Sequence, residues 1–278
     1  MTTSPKVSVG MPVFNGEKTI AAAIASVLNQ SFGDFELIIS DNASKDSTGQ
    51  ICKEFANIDR RIKYHRQSNN IGPVNNFQFV VDQSIGDYFL WAASDDLRES
   101  SALSMSVQVL DSDADIGLVF SDMSVVDYLT GNSKKVSCGY SGDTKKYRKL
   151  IFRWMNVCPS LIYGMHRLST LRKFGKMPNW DYSDVHISLW YEINSRIVTI
   201  PLDLYTAGTI GKRIPYSLTG NKLEINSFLE AQKKLIHENF NLPSYWVLYF
   251  LTSIIFRIAN LKNNRRRRKM ILDQSFEG

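Results

Sequence analysis

Asp87-Tyr-Phe-Leu-Trp-Ala-Ala-Ser-Asp-Asp96 is an apolar strand that ends on two adjacent carboxylates. Ionised carboxylates side by side repel each other and resist leaving water, so a buried strand that stops on such a pair needs an explanation. A divalent cation is one, because hard oxygen ligands suit Mg2+ or Mn2+, above all when phosphates complete the shell. A plain turn is the other, and the pair alone does not choose between them. The sequence on either side shifts the balance.

Upstream, Val7-Ser8-Val9 reads as a short buried strand, closed by the breakers Pro12 and Asn15-Gly16. Ile20, Ile24, Val27 and Leu28 then fall at helical spacing. Residues 35–40 form a second strand rich in Leu and Ile. Residues 41–48 are a polar loop whose Ser and Asp side chains can cap a helix carrying Ile51 and Phe55. A third short strand covers 62–65, and the turn Asn69-Asn70-Ile71-Gly72-Pro73 opens a helix with Phe77, Val80 and Val81 on one face. After the acidic pair, Leu103, Val107 and Leu110 mark another helix and residues 117–120 another strand. This alternation predicts an α/β fold, a Rossmann-like, mostly parallel central sheet with helices on both faces. Ligands of such sheets sit at the carboxyl ends of the strands. Asp41, the turn with Asn70 and Gly72, and Asp95-Asp96 all fall at such ends.

The second half is less regular. Residues 122–147 read as polar and irregular, with Gly131-Asn132 as a turn signal. A helix over 149–155, an extended segment at 159–164 and a short helix near 167–173 follow. Residues 182–194 have a helical pattern, and 196–205 supply one or two short strands.

At 278 residues and 44% hydrophobic content the chain can bury a large core, which excludes wholesale disorder. Cys52, Cys138 and Cys158 show no CxxC spacing and read as reduced thiols in a cytosolic setting. Residues 1–6 lack the apolar stretch of a signal peptide. The net charge of +6 is local: seven basic residues between Arg257 and Lys269, with no acid among them, leave the rest of the chain at −1. Nucleic acid is therefore not an expected partner.

Two phosphate devices are absent by inspection. Met11-Pro12-Val13-Phe14-Asn15-Gly16 stands where a GxGxxG loop would follow the first strand, and no GxxxxGK[ST] loop occurs. A metal on a carboxylate pair is then the obvious way to hold a pyrophosphate. Here the ordered set formed by residues 7–16, Ser26-Val-Leu-Asn-Gln-Ser-Phe32, residues 35–48 and residues 86–96 resembles the inverting family-2 nucleotide-sugar glycosyltransferases of the GT-A fold. The likeness is in register over about the first 120 residues and weaker to about 206.

The resemblance implies a GT-A catalytic domain over 1–210, with a nucleotide-binding half (1–121) and an acceptor half (122–210), and a C-terminal helical region over 211–278. It implies that Pro12, Phe14 and Asn15 lie against the nucleotide base, with Phe14 stacking, and that Asp41 accepts a base N–H. Asn70 and Gly72 complete the donor nucleotide site. Asp96 would be the direct ligand of Mn2+ or Mg2+, and Asp95 would serve the ribose or a metal-bound water. It also implies a single carboxylate base for the acceptor hydroxyl. In Trp180-Asp181-Tyr182-Ser183-Asp184 that base is Asp184, with Asp181 as the alternative. His186 reads as a packed or solvated side chain rather than a ligand. Two departures stand out: Ser183-Asp184 replaces the usual Glu-Asp pair, and Thr206-Ala207-Gly208 stands where many relatives carry a histidine, with Lys212 or Arg213 as substitutes for neutralising the diphosphate.

Residues 242–261 are apolar and aromatic with Arg257 as their one charge, and the arginine run follows. That combination suggests a helix lying in the membrane interface at the cytoplasmic face, or else a core or dimer helix. The expected partners are a nucleotide-sugar donor and a glycan or lipid-linked acceptor. The alternatives are a sugar-phosphate nucleotidyltransferase, for which residues 10–18 lack the Gly-rich loop with Arg and Lys, and a catalytically inactive GT-A binding module.

Overall fold

A computed structural model of the protein describes residues 4–137, 159–178, 183–209 and 222–239. The chain divides into two compact units, one formed by residues 1–142, 160–179 and 194–211, the other by 143–159, 180–193 and 212–278.

The first unit carries the sheet. Its opening half runs β1 (Val7–Val13), α1 (Ile20–Leu28), β2 (Phe35–Asp41), α2 (Thr48–Ile58), β3 (Ile62–Arg66), α3 (Pro73–Asp82) and β4 (Tyr88–Trp91). Then come β5 (Leu97–Arg98), α4 (Ala102–Ser112), β6 (Ile116–Asp127), β7 (Ser133–Val136), a 3-10 turn (Pro159–Tyr163), β8 (Met165–Arg167) and α5 (Leu168–Phe174). Helix α6 (Ser183–Asn194) leads to β9 (Arg196–Thr209), and α7 (Lys222–Asn239) ends the described chain. Among the described residues the sheet has nine strands in the order β3-β2-β1-β4-β8-β6-β9-β5, with β7 paired to β6. β3, β2, β1 and β4 are parallel, β6 and β9 are parallel to each other, and β8 runs antiparallel between β4 and β6. The predicted mostly parallel α/β sheet is what forms.

All seven residues of β1 and all seven of β2 are buried, because both faces of the sheet are covered. Successive side chains point to opposite faces. Val7, Val9, Met11, Val13, Leu37 and Ile39 join Ile20 and Ile24 of α1, Cys52 of α2 and Leu103 and Val107 of α4 in one core. On the other face α3 sits so close that a methyl group on Gly10 would lie 2.7 Å from Val80 and 2.8 Å from Phe89. The order reverses at β1: β1, β2 and β3 step one way, and the chain then returns to β4 on the other side of β1. Right-handed crossovers put the helix of the returning connection on the opposite face, and the reversal leaves a crevice at the carboxyl ends.

Four local expectations need correction. β1 does not stop before Pro12 but runs to Val13. Val13 accepts from Asn42 on the β2 side and Gly10 from Ala92 on the β4 side, so Pro12, like Gly10, faces β4, whose pairing ends at Trp91. The missing N–H of Pro12 therefore costs no ladder bond. Residues 122–136 are not irregular: β6 continues to Asp127 and turns at Gly131, φ +70°, into β7. The segment at 159–164 is a 3-10 turn rather than extended chain. Residues 196–209 form one strand, kept whole through register shifts against β6.

Candidate active site

The carboxyl rim of β1, β2 and β4 is built by loops tied to one another. Asn15 stands at φ 52°, a left-handed conformation that Asn tolerates, and two bonds hold it. Its N–H donates to Ser44 Oγ (2.9 Å), and its Oδ1 accepts from the Lys45 N–H (2.9 Å). Gly16 N–H donates to Thr48 Oγ1 at 2.8 Å, and Asp46, rather than an N-cap Ser, receives the Thr48 N–H at the start of α2. Asn42 spans the next gap: its Nδ2 donates to Asn70 Oδ1 (3.0 Å) and its Oδ1 accepts from the Ile71 N–H (2.8 Å). Gly72, at φ 83°, precedes Pro73 at the first turn of α3, a backbone corner that suits Gly and Pro in that order.

Between these loops lies a cavity of about 250 Å3, walled by Pro12, Phe14, Asn42, Asn70, Pro73 and Phe77 among others. Phe14 leaves 46% of its surface in solvent there, so an aromatic face is available to a ligand. A larger cavity, about 540 Å3, lies at the opposite, amino-terminal rim, where Lys6 bridges Asp87 (3.3 Å) and Asp111 (3.1 Å).

Asp41 is wholly buried at the end of β2 and makes three bonds. Its Oδ1 accepts from the Ser44 N–H (2.8 Å), and its Oδ2 from Tyr64 Oη (2.9 Å) and Arg66 Nη1 (2.5 Å). Burial and the bond to Asp41 push the Tyr64 phenol up to about 12, and burial with Asp41 nearby does the same to the Cys52 thiol, which is inert at neutral pH. In this arrangement Asp41 organises the β2–α2 loop from beneath. One of its four lone pairs is left.

The acidic pair follows β4. Asp96 is 7% exposed, and β9 grips it: the Gly208 N–H donates to Oδ1 at 2.9 Å and the Tyr205 hydroxyl to Oδ2. Arg98 stacks on the Tyr205 ring at 4.2 Å and donates to the carbonyls of Trp91 (3.1 Å) and Tyr163 (2.7 Å). Burial, with the Asp95 carboxylate adding to it, pushes Asp96 up to about 6, although the two bonds from β9 pull the other way. Two acids held together against their repulsion, one lone pair still open on each Asp96 oxygen, are the donor set a hard divalent cation takes. The residues fit such a cation. Among the described residues no group of three or more His, Cys, Asp or Glu side chains gathers as a metal site. Ser94 links the pair to the loop after β1, since a methyl on Gly16 would come within 3.5 Å of its hydroxyl.

The structure thus brings Pro12, Phe14, Asn15, Asn70, Gly72, Asp95 and Asp96 to one rim, with Asp41 beneath it. Asp184 lies in the other unit, half-buried in the first turn of α6. Asp181, Lys212, Arg213 and residues 242–269 lie outside the described residues. His186 accepts from the Gln232 amide (2.6 Å), and burial holds it down to about 4, a packed neutral side chain as expected. Thr206-Ala207-Gly208 lies within β9 rather than after it, and the contact this stretch makes with the site is the Gly208 N–H on Asp96. Sequence reasoning missed Asn42, Tyr205 and Tyr128. Asn42 stood next to Asp41 in a loop already singled out, whereas the two tyrosines reach the acids only through β6 and β9.

Comparison with known proteins gives the class. The family model described as glycosyl transferase family 2 matches residues 8–165, more than half of the chain, and the chain belongs to that family. It is 38% identical over 105 residues to the GalNAc(5)-diNAcBac-PP-undecaprenol beta-1,3-glucosyltransferase of Campylobacter jejuni, covering 37% of this chain and 34% of that one. The chain spans less than half the length of the curated relatives it matches first. The fold is that of S. aureus TarS 1-349 in complex with UDP, at a TM-score of 0.65 and 21% identity over 85% of this chain and 67% of that one. It is also that of the mannosyltransferase PcManGT from Pyrobaculum calidifontis in complex with GDP-Man and Mn2+, at a TM-score of 0.57 and 14% identity over 95% and 74%. The GT-A resemblance read from the sequence is borne out.

Proposed function

We propose that the protein is an inverting, divalent-cation-dependent glycosyltransferase that moves a sugar from a nucleoside-diphosphate donor to a hydroxyl acceptor, in the assembly of a cell-surface polysaccharide or lipid-linked glycan. The observation that carries this is the grip of β9 on Asp96, beside Asp95 and on the same rim as the Phe14 cavity. The name of the C. jejuni relative supports a lipid-linked acceptor, and the Mn2+ in the archaeal complex supports the cation.

In this reading Phe14 stacks on the nucleotide base, with Pro12 and Asn15 shaping its loop and Asn70 and Gly72 closing the far side. Asp41 offers its remaining lone pair to the base N–H from below the loop. Asp95 reaches the ribose or a metal-bound water, and Asp96 holds the cation, Mn2+ or Mg2+. When bound, the cation supplies Lewis-acid stabilisation of the charge that builds on the departing diphosphate. Inversion needs one base to take the acceptor's hydroxyl proton, a role given to Asp184, or to Asp181 in its place. Residues 1–210 form the catalytic domain, and residues 242–269, read from sequence alone, bring it to the inner face of a membrane.

The test is a panel of sugar nucleotides with Mn2+, followed by thermal shift and donor hydrolysis. A metal-dependent response to one donor is expected in the intact protein, loss of that response in Asp96→Ala, and retained donor binding with turnover reduced at least a hundredfold in Asp184→Asn. No response to any donor would sink the enzyme reading. Metal dependence surviving in Asp96→Ala would sink the metal assignment alone.

A further inference from the structure

Tyr128, at the tip of the β6–β7 hairpin, leaves 41% of its surface in solvent. It is nevertheless not a loose surface aromatic. Its hydroxyl donates to the Asp95 carbonyl at 3.2 Å, and its ring lies against Gly208, where a methyl group would come within 2.4 Å of Cε2. Gly208 is also the residue whose N–H holds Asp96. The ring is therefore fixed at two points, on the Asp95 backbone and on the glycine whose N–H holds Asp96.

An aromatic surface left wet beside two carboxylates is costly twice over: apolar area stays in water, and the ring limits the hydration of the acids. A pyranose ring relieves both. Its axial C–H face is apolar enough to lie on an aromatic ring through weak C–H···π contacts, while its hydroxyls donate to carboxylates. Few other ligands combine an apolar face with a rim of donors in the width of one side chain. Neighbouring Leu129, 71% exposed, extends the apolar tip.

We infer that Tyr128 is the platform on which a pyranose ring stacks at the reaction centre, a specificity-determining residue supplied by the hairpin that follows the nucleotide-binding half. The inference rests on the glycosyltransferase reading. The pyranose is either the sugar of the donor or the terminal sugar of the acceptor, and the experiment has an arm for each. Calorimetry in the presence of Mn2+ compares the responding sugar nucleotide with its nucleoside diphosphate. Saturation-transfer NMR follows a set of methyl pyranosides added to the protein with nucleoside diphosphate and Mg2+.

A donor platform predicts that Tyr128→Ala weakens the sugar nucleotide at least tenfold and leaves the nucleoside diphosphate within twofold. An acceptor platform predicts unchanged calorimetry and loss of the methyl pyranoside signals. Tyr128→Phe, which keeps the ring and loses only the tether to Asp95, stays close to the parent in either arm. Should Tyr128→Ala match the parent in both arms, or weaken diphosphate and sugar nucleotide alike, the platform is refuted while the glycosyltransferase reading stands. A parent protein that answers to no sugar nucleotide overturns both.

Discussion

Asp96 shows how a residue chosen from sequence acquires its properties from residues that sequence does not place beside it. The motif supplies two adjacent acids. The grip that orients one of them comes from Tyr205 and Gly208, more than a hundred positions away. Gly208 has no room for a side chain, because a methyl there would stand 2.1 Å from the Asp95 carbonyl and 2.4 Å from the Tyr128 ring. One contact is backbone, so it cannot swing aside. Gly208→Ala is therefore expected to displace β9 from the acids, weaken Mn2+-dependent donor binding at least tenfold and cost about 1–3 kcal/mol of stability. Calorimetry and urea unfolding measure both, and parent-like donor binding in this variant would show that the close approach is dispensable. Asp41 and Asp95-Asp96 stood out in local sequence, because each sits at a strand end beside polar residues, whereas Phe14 came from the family resemblance alone. Tyr128 and Tyr205 did not stand out, since nothing local separates them from any other tyrosine of the chain.

Among the elements, β8 is inconspicuous in sequence, three residues that join β4 to β6 in the sheet. Its His166 is fully buried, with Nε2 at 2.8 Å from the Ile162 carbonyl and its ring edge-on to Trp91 at 5.1 Å. Burial holds the imidazole down to about 4, against an ordinary value of 6.5, with the Ile162 bond opposing only in part. The folded state thus binds its proton less readily than the unfolded chain. The stability this contributes is complete above pH 6.5 and is lost progressively as pH falls towards 4, an effect of roughly 3 kcal/mol. In His166→Phe, unfolding free energy measured by urea is expected to fall less steeply over that pH range, by up to one proton. An unchanged slope would show that His166 does not drive the acid sensitivity. The sequence reading ended β6 too early for a different reason. Its outer half carries Ser and Asp on faces that are only partly covered, so polarity imitated a loop while the ladder to β9 kept it extended.

For the whole molecule, charge is the property read most directly. Seven basic residues between Arg257 and Lys269 make the chain positive, so replacing Arg265, Arg266, Arg267, Arg268 and Lys269 with Gln should abolish sedimentation with anionic liposomes and leave donor binding intact. Sedimentation equal to the parent's would defeat the membrane assignment. Among the described residues no helix is long and apolar enough to cross a membrane. The sequence by itself determined the alternating α/β architecture, the family, and the strand ends on which the rim loops and acidic pair sit. All of these depend on periodicity and turn chemistry within a few residues. The tertiary structure alone decided that β9 returns beside β6 to hold Asp96, that Asp41 commits three of its lone pairs beneath its own loop, and that the Tyr128 hydroxyl reaches the Asp95 carbonyl. Those contacts join segments 23 to 112 residues apart or draw on hydrogen bonds that exist only once the sheet has assembled, and no local pattern encodes them.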